Sequence, residues 1–394
     1  MNHKINLEPF KNKKTSLVLS GGVVKAAAWH LGVSLALEEL GFSFKHNKSP
    51  LNPDYEISTY VGSSAGALIN LYFASGFRPM EIIDATINRD NTRTSLKGVS
   101  YSDMLSRKMP NRDTFNFDFY NPFEGFPSLL KQMLRPMLSV SGLFSTEGLN
   151  QYMQDHVIIS QKFEDYMADM FVVATQLDHS RKVIFSKYNY PCPVHDSTAE
   201  YYTGVNVTES IAASMSVPPF YSPFPVKNPR TSQIDYYIDG EIRETLSNHV
   251  AVDNKCDFII SSWTHTPYHY HDEVGSLINY GLPAICIQAI YLMIQKKIVS
   301  SRGQKMLAKD LIDTVNDYMN SNNFSHNDKT KLISILERKL NYNPNIKFID
   351  IFPDHSNYKL FFTNSFSLDP RKSKYVMTAG YRQTLEVFRK LEWS

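Results

Sequence analysis

Tyr60-Val61-Gly62-Ser63-Ser64-Ala65-Gly66-Ala67-Leu68 is the stretch whose reading decides the fold. Its approach, Ile57-Ser58-Thr59-Tyr60-Val61, is apolar and β-branched, as the end of a strand should be. Ala65-Gly66-Ala67-Leu68-Ile69-Asn70-Leu71 then opens a helix. Between them stands Gly-x-Ser-x-Gly, the pattern of a nucleophile elbow, with Ser64 at its apex. A sharp strand-to-helix turn strains its apex residue, and Gly62 and Gly66 let strand and helix approach without Cβ clashes. The helix N-terminus brings free N–H groups and a positive dipole end beside the Ser64 hydroxyl. A plain small-residue turn has the same composition, so the rest of the chain must decide between the two.

Upstream, Ser16-Leu17-Val18-Leu19-Ser20 reads as a buried first strand and runs into Gly21-Gly22-Val23-Val24-Lys25. Residues 26–40 follow with helical spacing and stop at Gly41, a good left-handed end residue. Successive strand-loop-helix units predict a parallel sheet covered by helices. The Gly-Gly loop points several N–H groups into one small volume, which suits an oxyanion or a phosphate, or simply a tight turn. It lacks the Gly-Lys-Ser/Thr ending of a P-loop and the third glycine of a dinucleotide fingerprint. Downstream, Gln233-Ile234-Asp235-Tyr236-Tyr237-Ile238 predicts a strand that delivers Asp239-Gly240 at its C-terminal end, where parallel sheets place functional groups. Residues 78–141 read as an insertion or lid, or equally as an ordinary connecting subdomain, with an aromatic segment at 115–123 and an amphipathic helix at 126–138. Residues 282–299 form the most apolar helical stretch; a core helix is the first reading, a groove wall or membrane-facing surface the second.

Composition narrows the function classes. A formal net charge of +2 lacks the basic excess of a nucleic-acid binder. Three cysteines, at 192, 256 and 286, are too few and scattered for a disulfide framework or a zinc site. Residues 1–15 carry lysines but no apolar run, so no secretory leader is expected, and no charge-free apolar run of about 18 residues suggests a transmembrane helix. The expectation is a protein of the cytoplasm, of a membrane surface, or secreted without a leader.

Gly-Gly loop, Gly-x-Ser-x-Gly and strand-end Asp-Gly, in that order, resemble the patatin-like phospholipase family. The matching residues are Gly21-Gly22-Val23-Val24-Lys25-Ala26, Gly62-Ser63-Ser64-Ala65-Gly66 and Asp239-Gly240-Glu241. Gly142-Leu143-Phe144-Ser145-Thr146-Glu147, Val173-Ala174-Thr175-Gln176-Leu177-Asp178 and Ala212-Ala213-Ser214-Met215-Ser216-Val217-Pro218-Pro219-Phe220 look like intervening blocks, and Ala379-Gly380-Tyr381 like the start of the last helix. The resemblance implies an α/β fold, a mostly parallel central sheet between helical layers, with a helical and aromatic insertion. It implies a core at 16–265 after an extension at 1–15, and a mainly helical part at 266–394 packed on the same domain. It further implies a lipid acyl hydrolase, of phospholipase A or lysophospholipase type, with no cofactor and no metal. Ser64 would be the nucleophile and Asp239 the general base, without a catalytic histidine. The amides of Gly21, Gly22, Val23 and Ala65 would form the oxyanion hole, with Lys25, Gly62, Gly66 and Gly240 in support. A lipid or phospholipid substrate implies transient contact with a membrane surface, and nothing suggests a nucleic-acid partner.

The pattern is departed from at Val23, Ala26 and Glu241. A β-branched residue resists positive φ, so the loop should pass Val23 at ordinary φ or be distorted. Glu241 puts a second carboxylate beside the base. A lipid-binding protein that has lost activity, and an acyltransferase using the same dyad, are therefore the alternatives. His265-Thr266-Pro267-Tyr268-His269-Tyr270-His271 has the spacing of a ligand pair, but Pro267 argues against the helix that would align it.

Overall fold

A computed structural model describes residues 5–47, 52–88, 94–107, 125, 127–128, 141–191 and 199–391. Its sheet is built on short apolar runs buried on both faces, the composition that parallel strands require. The strands are β1 (Thr15–Leu19), β2 (Ser43–Phe44), β3 (Glu56–Ser63), β4 (Ser106–Arg107), β5 (Phe144–Ser145), β6 (Asp169–Gln176), β7 (Arg181–Ser186), β8 (Ala199–Tyr202), β9 (Phe224–Lys227), β10 (Ile234–Asp239), β11 (Phe258–Ser262) and β12 (Lys347–Ile351). The main sheet runs β12-β11-β1-β3-β6-β10-β9, with β2 beside β3 and β7 and β8 beyond β6. From β12 to β6 the pairing is parallel; β10 is antiparallel to β6 and β9, and β7 is antiparallel to β6 but parallel to β8. The fold is α/β, as the repeated strand-loop-helix units predicted.

Side chains alternate across the sheet with the strand period of two. Leu17 and Leu19, Tyr60, and Met170, Val172 and Ala174 face one helical layer, which holds the helices Val23–Leu40, Ala65–Ala74 and Pro370–Arg389. Val18, Val61, and Phe171 and Val173 face the other, with Val250, Ala251 and Trp263. The first and last helices cross with their backbones in contact. A Cβ on Gly32 would sit 1.9 Å from the Met377 carbonyl oxygen, and one on Gly380 2.5 Å from that of Trp29. Gly380 thus lies in the middle of the last helix rather than at its start. Asp369 caps that helix by accepting from the Arg371 amide, with Pro370 in its first turn.

The stretch at 282–299 does not lie in the core. It belongs to one continuous helix, Gly281–Ser321, about 60 Å long by the helical rise. Only Tyr291, Ile294, Ile298, Ala308, Ile312 and Met319 are buried on it. Leu282 is 72% exposed and Met293 60%. An 18-residue window reaches a mean hydropathy of 1.7 with only 17% of it buried, so by length and composition this helix could cross a membrane. Residues 274–295 carry no Asp, Glu, Lys or Arg, so the expectation that the chain holds no charge-free apolar run of this length is corrected. The aromatic segment at 115–123 and the helix at 126–138 expected within the insertion lie almost wholly outside the described residues.

Candidate active site

β3 reaches Ser63, and the next residue turns the chain. Ser64 has φ 51° and ψ −124°, a conformation costing an L-residue roughly 1–3 kcal/mol, and the helix Ala65–Ala74 starts directly after it. The turn is held from both sides. The Ser64 carbonyl accepts from the Ala67 and Leu68 amides at 3.0 and 3.3 Å. The Ser64 amide donates to Oγ of Ser214 at 2.8 Å, and that hydroxyl donates to the Val173 carbonyl at 2.5 Å. The flanking glycines are needed for close approach: a Cβ on Gly66 would lie 2.4 Å from the Leu19 carbonyl oxygen, and one on Gly62 2.6 Å from the Ala67 backbone.

Asp239 arrives by a different route from the one expected. β10 runs antiparallel to β6, so Asp239 ends a strand of the opposite direction, yet it lies level with the carboxyl end of the parallel strand β3. It sits opposite Ala174, while Ser63 sits opposite Val173. β10 therefore takes up the edge of β6 where β3 leaves it. Thr175 Oγ1 donates to the Asp239 carbonyl at 3.1 Å, and the Asp239 amide donates to the Ser216 carbonyl at 3.0 Å. The side chain is buried, receives the Glu241 amide on Oδ1 at 2.8 Å, and faces the Ser64 side chain. Burial pushes its pKa up to about 6, against the pull of the Glu241 amide and the Ser64 hydroxyl.

The glycine loop closes the site, with one correction to the sequence reading, at Gly21, and with Val23 taking the distorted of its two alternatives. The Gly21 amide is already engaged, donating to Oε1 of Glu241 at 2.8 Å, and so cannot also serve an oxyanion. Val23 does not pass at ordinary φ: it adopts φ 59° as the first residue of its helix, after Gly22 at φ 127°. The amides of Val23 and Ala65 stand at first helical positions, where no intrahelical acceptor exists. Lys25, which could have faced solvent, is buried; its Nζ donates to the Tyr291 hydroxyl at 2.7 Å and approaches the Leu360 carbonyl at 3.4 Å.

Beside Ser64 opens an apolar cavity. Val24, Ala28 and Leu31 of the first helix line one wall, and Leu68, Ile69 and Tyr72 of the elbow helix another. The hydroxyls of Tyr72 and Tyr152, both lining residues, meet at 2.9 Å, and Tyr152 donates to the Lys97 carbonyl at 2.5 Å. A strained serine, a buried carboxylate and unoccupied amides at the mouth of an apolar cavity suit attack on an ester that carries an apolar acyl chain.

The family model described as patatin-like phospholipase matches residues 17–252. The chain belongs to the patatin-like phospholipase family. The matched span includes the glycine loop, the elbow and Asp239, and the family is one of lipid acyl hydrolases. No curated protein matches the chain.

In this patatin-like chain His30 and the histidines of the 265–271 run are placed by packing. His30 is buried, with Nε2 2.9 Å from the Ser20 carbonyl and Nδ1 2.9 Å from Ser262 Oγ; burial lowers its pKa to about 4. His265 lies behind Gly22 and packs edge-on against Tyr291, while His269 meets His355 edge-on and His271 lies tilted against Tyr358. Among the described residues no group of three or more His, Cys, Asp or Glu could hold a metal ion. Ser214 and the link from Glu241 to Gly21 were missed in the sequence. Ser214 falls in a block that resembles the family, but nothing local marks it as the partner of an amide far upstream.

Proposed function

We propose that the chain is a serine esterase that cleaves lipid acyl esters through a Ser64 acyl-enzyme, as a phospholipase A or lysophospholipase does. The observation that carries this reading is the buried Asp239 carboxylate facing the strained Ser64, whose side chain lines the apolar cavity. Asp239 accepts the Ser64 proton as Oγ attacks the ester carbonyl. The oxyanion forms against the amides of Gly22, Val23 and Ala65, each donor contributing about 3–4 kcal/mol to the transition state. Collapse breaks the ester bond, the departing alcohol takes the proton from Asp239, and the acyl chain stays in the cavity on Ser64. Water, deprotonated by Asp239, then releases the acid and restores the serine. A burial-raised pKa fits Asp239 for proton exchange near neutral pH.

The exposed apolar face of the helix Gly281–Ser321, with Lys296 and Lys297 exposed at the end of its apolar stretch, supports contact with an anionic lipid surface, where such substrates reside. A second reading, a lipid binder without turnover, is favoured by the engaged Gly21 amide and the strained Val23. A fluorophosphonate probe decides between them. Labelling of the wild type and none of Ser64→Ala supports the esterase; an unlabelled wild type leaves the binder. Product analysis with an added alcohol acceptor separates hydrolase from acyltransferase.

A further inference from the structure

Glu241 stands where the family pattern has a small residue, and it is built into the site from three directions. Oε1 accepts the Gly21 amide at 2.8 Å, which ties the loop after β1 to the segment after β10. Its own amide donates to Asp239 Oδ1 at 2.8 Å, so one residue grips both the loop and the base. The contact is close: a Cβ on Gly21 would meet both the Glu241 Cγ and the Ser64 Cβ at 2.8 Å. The side chain is more than nine-tenths buried, and Oε2 has no hydrogen-bond partner. The groups facing it are the Gly21 amide, the hydroxyls of Ser63 and Thr245, and the carboxylate of Asp239.

We propose that Glu241 is a positioning residue that works as a neutral carboxylic acid, pinning the Gly21 turn against Ser64 while Asp239 alone carries negative charge, and that its ionisation shuts the site down. This rests on the esterase reading above. Two carboxylates in one dry site do not both ionise at neutral pH. Burial first, and the Asp239 charge second, push the Glu241 pKa up to about 8, while the bond from Gly21 and the two hydroxyls pull it down. Ionised, Glu241 sets a second negative charge beside the position where the oxyanion forms. That charge opposes the transition state directly.

The experiment is the pH dependence of kcat and kcat/KM between pH 5 and 10 on a soluble short-chain nitrophenyl ester, for wild type, E241Q and E241A. Wild-type rates should fall about 10-fold per pH unit once pH exceeds the Glu241 pKa. E241Q, which keeps an acceptor for Gly21 but cannot ionise, should retain neutral-pH turnover within about 3-fold and lose that fall. E241A, which leaves the Gly21 amide unpaired, should lose at least about 10-fold at every pH. An alkaline fall in E241Q like that of the wild type overturns the proposal. Thermal melting gives a readout apart from activity. A folded-state pKa above the unfolded one makes stability fall as pH rises from about 4.5 to 8. E241Q should flatten that decline, and Asp239→Asn, which removes the neighbouring charge, should end it at lower pH; parallel melting curves in all three proteins overturn the proposal. A wild type that neither labels nor turns over sinks the esterase reading alone, and the melting series still decides the state of Glu241.

Discussion

Ser63 and Asp239 occupy consecutive places along one edge of β6, opposite Val173 and Ala174. One strand leaves the edge with the nucleophile at its tip, and an antiparallel strand takes over with the base. The juxtaposition of Ser64 and Asp239 is thus fixed by sheet register rather than by a loop. Asp239→Asn keeps the shape and removes the base, so ester turnover should fall by about 10²–10⁴-fold with the fold intact by circular dichroism. Wild-type turnover should also fall as pH drops through about 6, because a protonated Asp239 cannot accept the serine proton. A rate that stays level from pH 7 to 4.5 would remove Asp239 from the role of base.

Ser214 relays the elbow to β6 through its hydroxyl. Ser214→Ala leaves the buried Ser64 amide without an acceptor, at a cost of about 1–3 kcal/mol. Chemical denaturation should show that loss, and fluorophosphonate labelling should slow by at least about 10-fold as the apex relaxes. Wild-type labelling in the alanine variant would mean that the apex is held by the helix alone.

Val23 holds a left-handed conformation that its branched side chain resists. Glycine removes strain of about 1–3 kcal/mol and costs about 0.5–1 kcal/mol in unfolded-state entropy. Val23→Gly should therefore stabilise the protein by about 1 kcal/mol in a urea titration. A destabilisation of that size would show that the side chain's packing outweighs its backbone strain.

Tyr72 lies little more than two turns along the elbow helix from Ser64, or about 12 Å, and with Tyr152 lines the cavity. That span sets a reach for the acyl chain. Tyr72→Leu removes the hydroxyl pair and deepens the cavity, so the preferred chain length in a series of nitrophenyl esters should rise. An unchanged preference would place the end of the acyl site elsewhere.

Leu292 and Met293 are exposed on the helix Gly281–Ser321. Replacing both with Glu should leave stability within about 0.5 kcal/mol, since neither is buried. Sedimentation with vesicles of phosphatidylglycerol and phosphatidylcholine should show binding weakened at least about 10-fold by the two added charges. Equal binding of wild type and variant would take this helix out of the membrane reading.

What could be read in the sequence was what is written locally. Gly62, Ser64 and Gly66 announce the elbow because a turn this sharp admits few residues, and the apolar runs at β1, β3, β6 and β11 announce buried strands. The direction of β10 was not legible, because a strand's alternation is the same whichever way it runs. The loss of the Gly21 amide was not legible either. It depends on Glu241, which meets the loop only after β1, β3, β6 and β10 have all assembled. The helix at 281–321 was misjudged for the converse reason: apolar composition reveals the wish for a nonpolar neighbour but not which neighbour, and little of the described chain covers it.

The takeover of one strand's edge by another has a consequence for biosynthesis. Ser64 leaves the ribosome long before Asp239, and the strand that brings the carboxylate must then insert against the run of its neighbours. On the esterase reading, a nascent or truncated chain carries the hydroxyl without its proton acceptor and stays chemically inert. Lipids around the translation machinery are thereby spared until the last piece of the hairpin has docked.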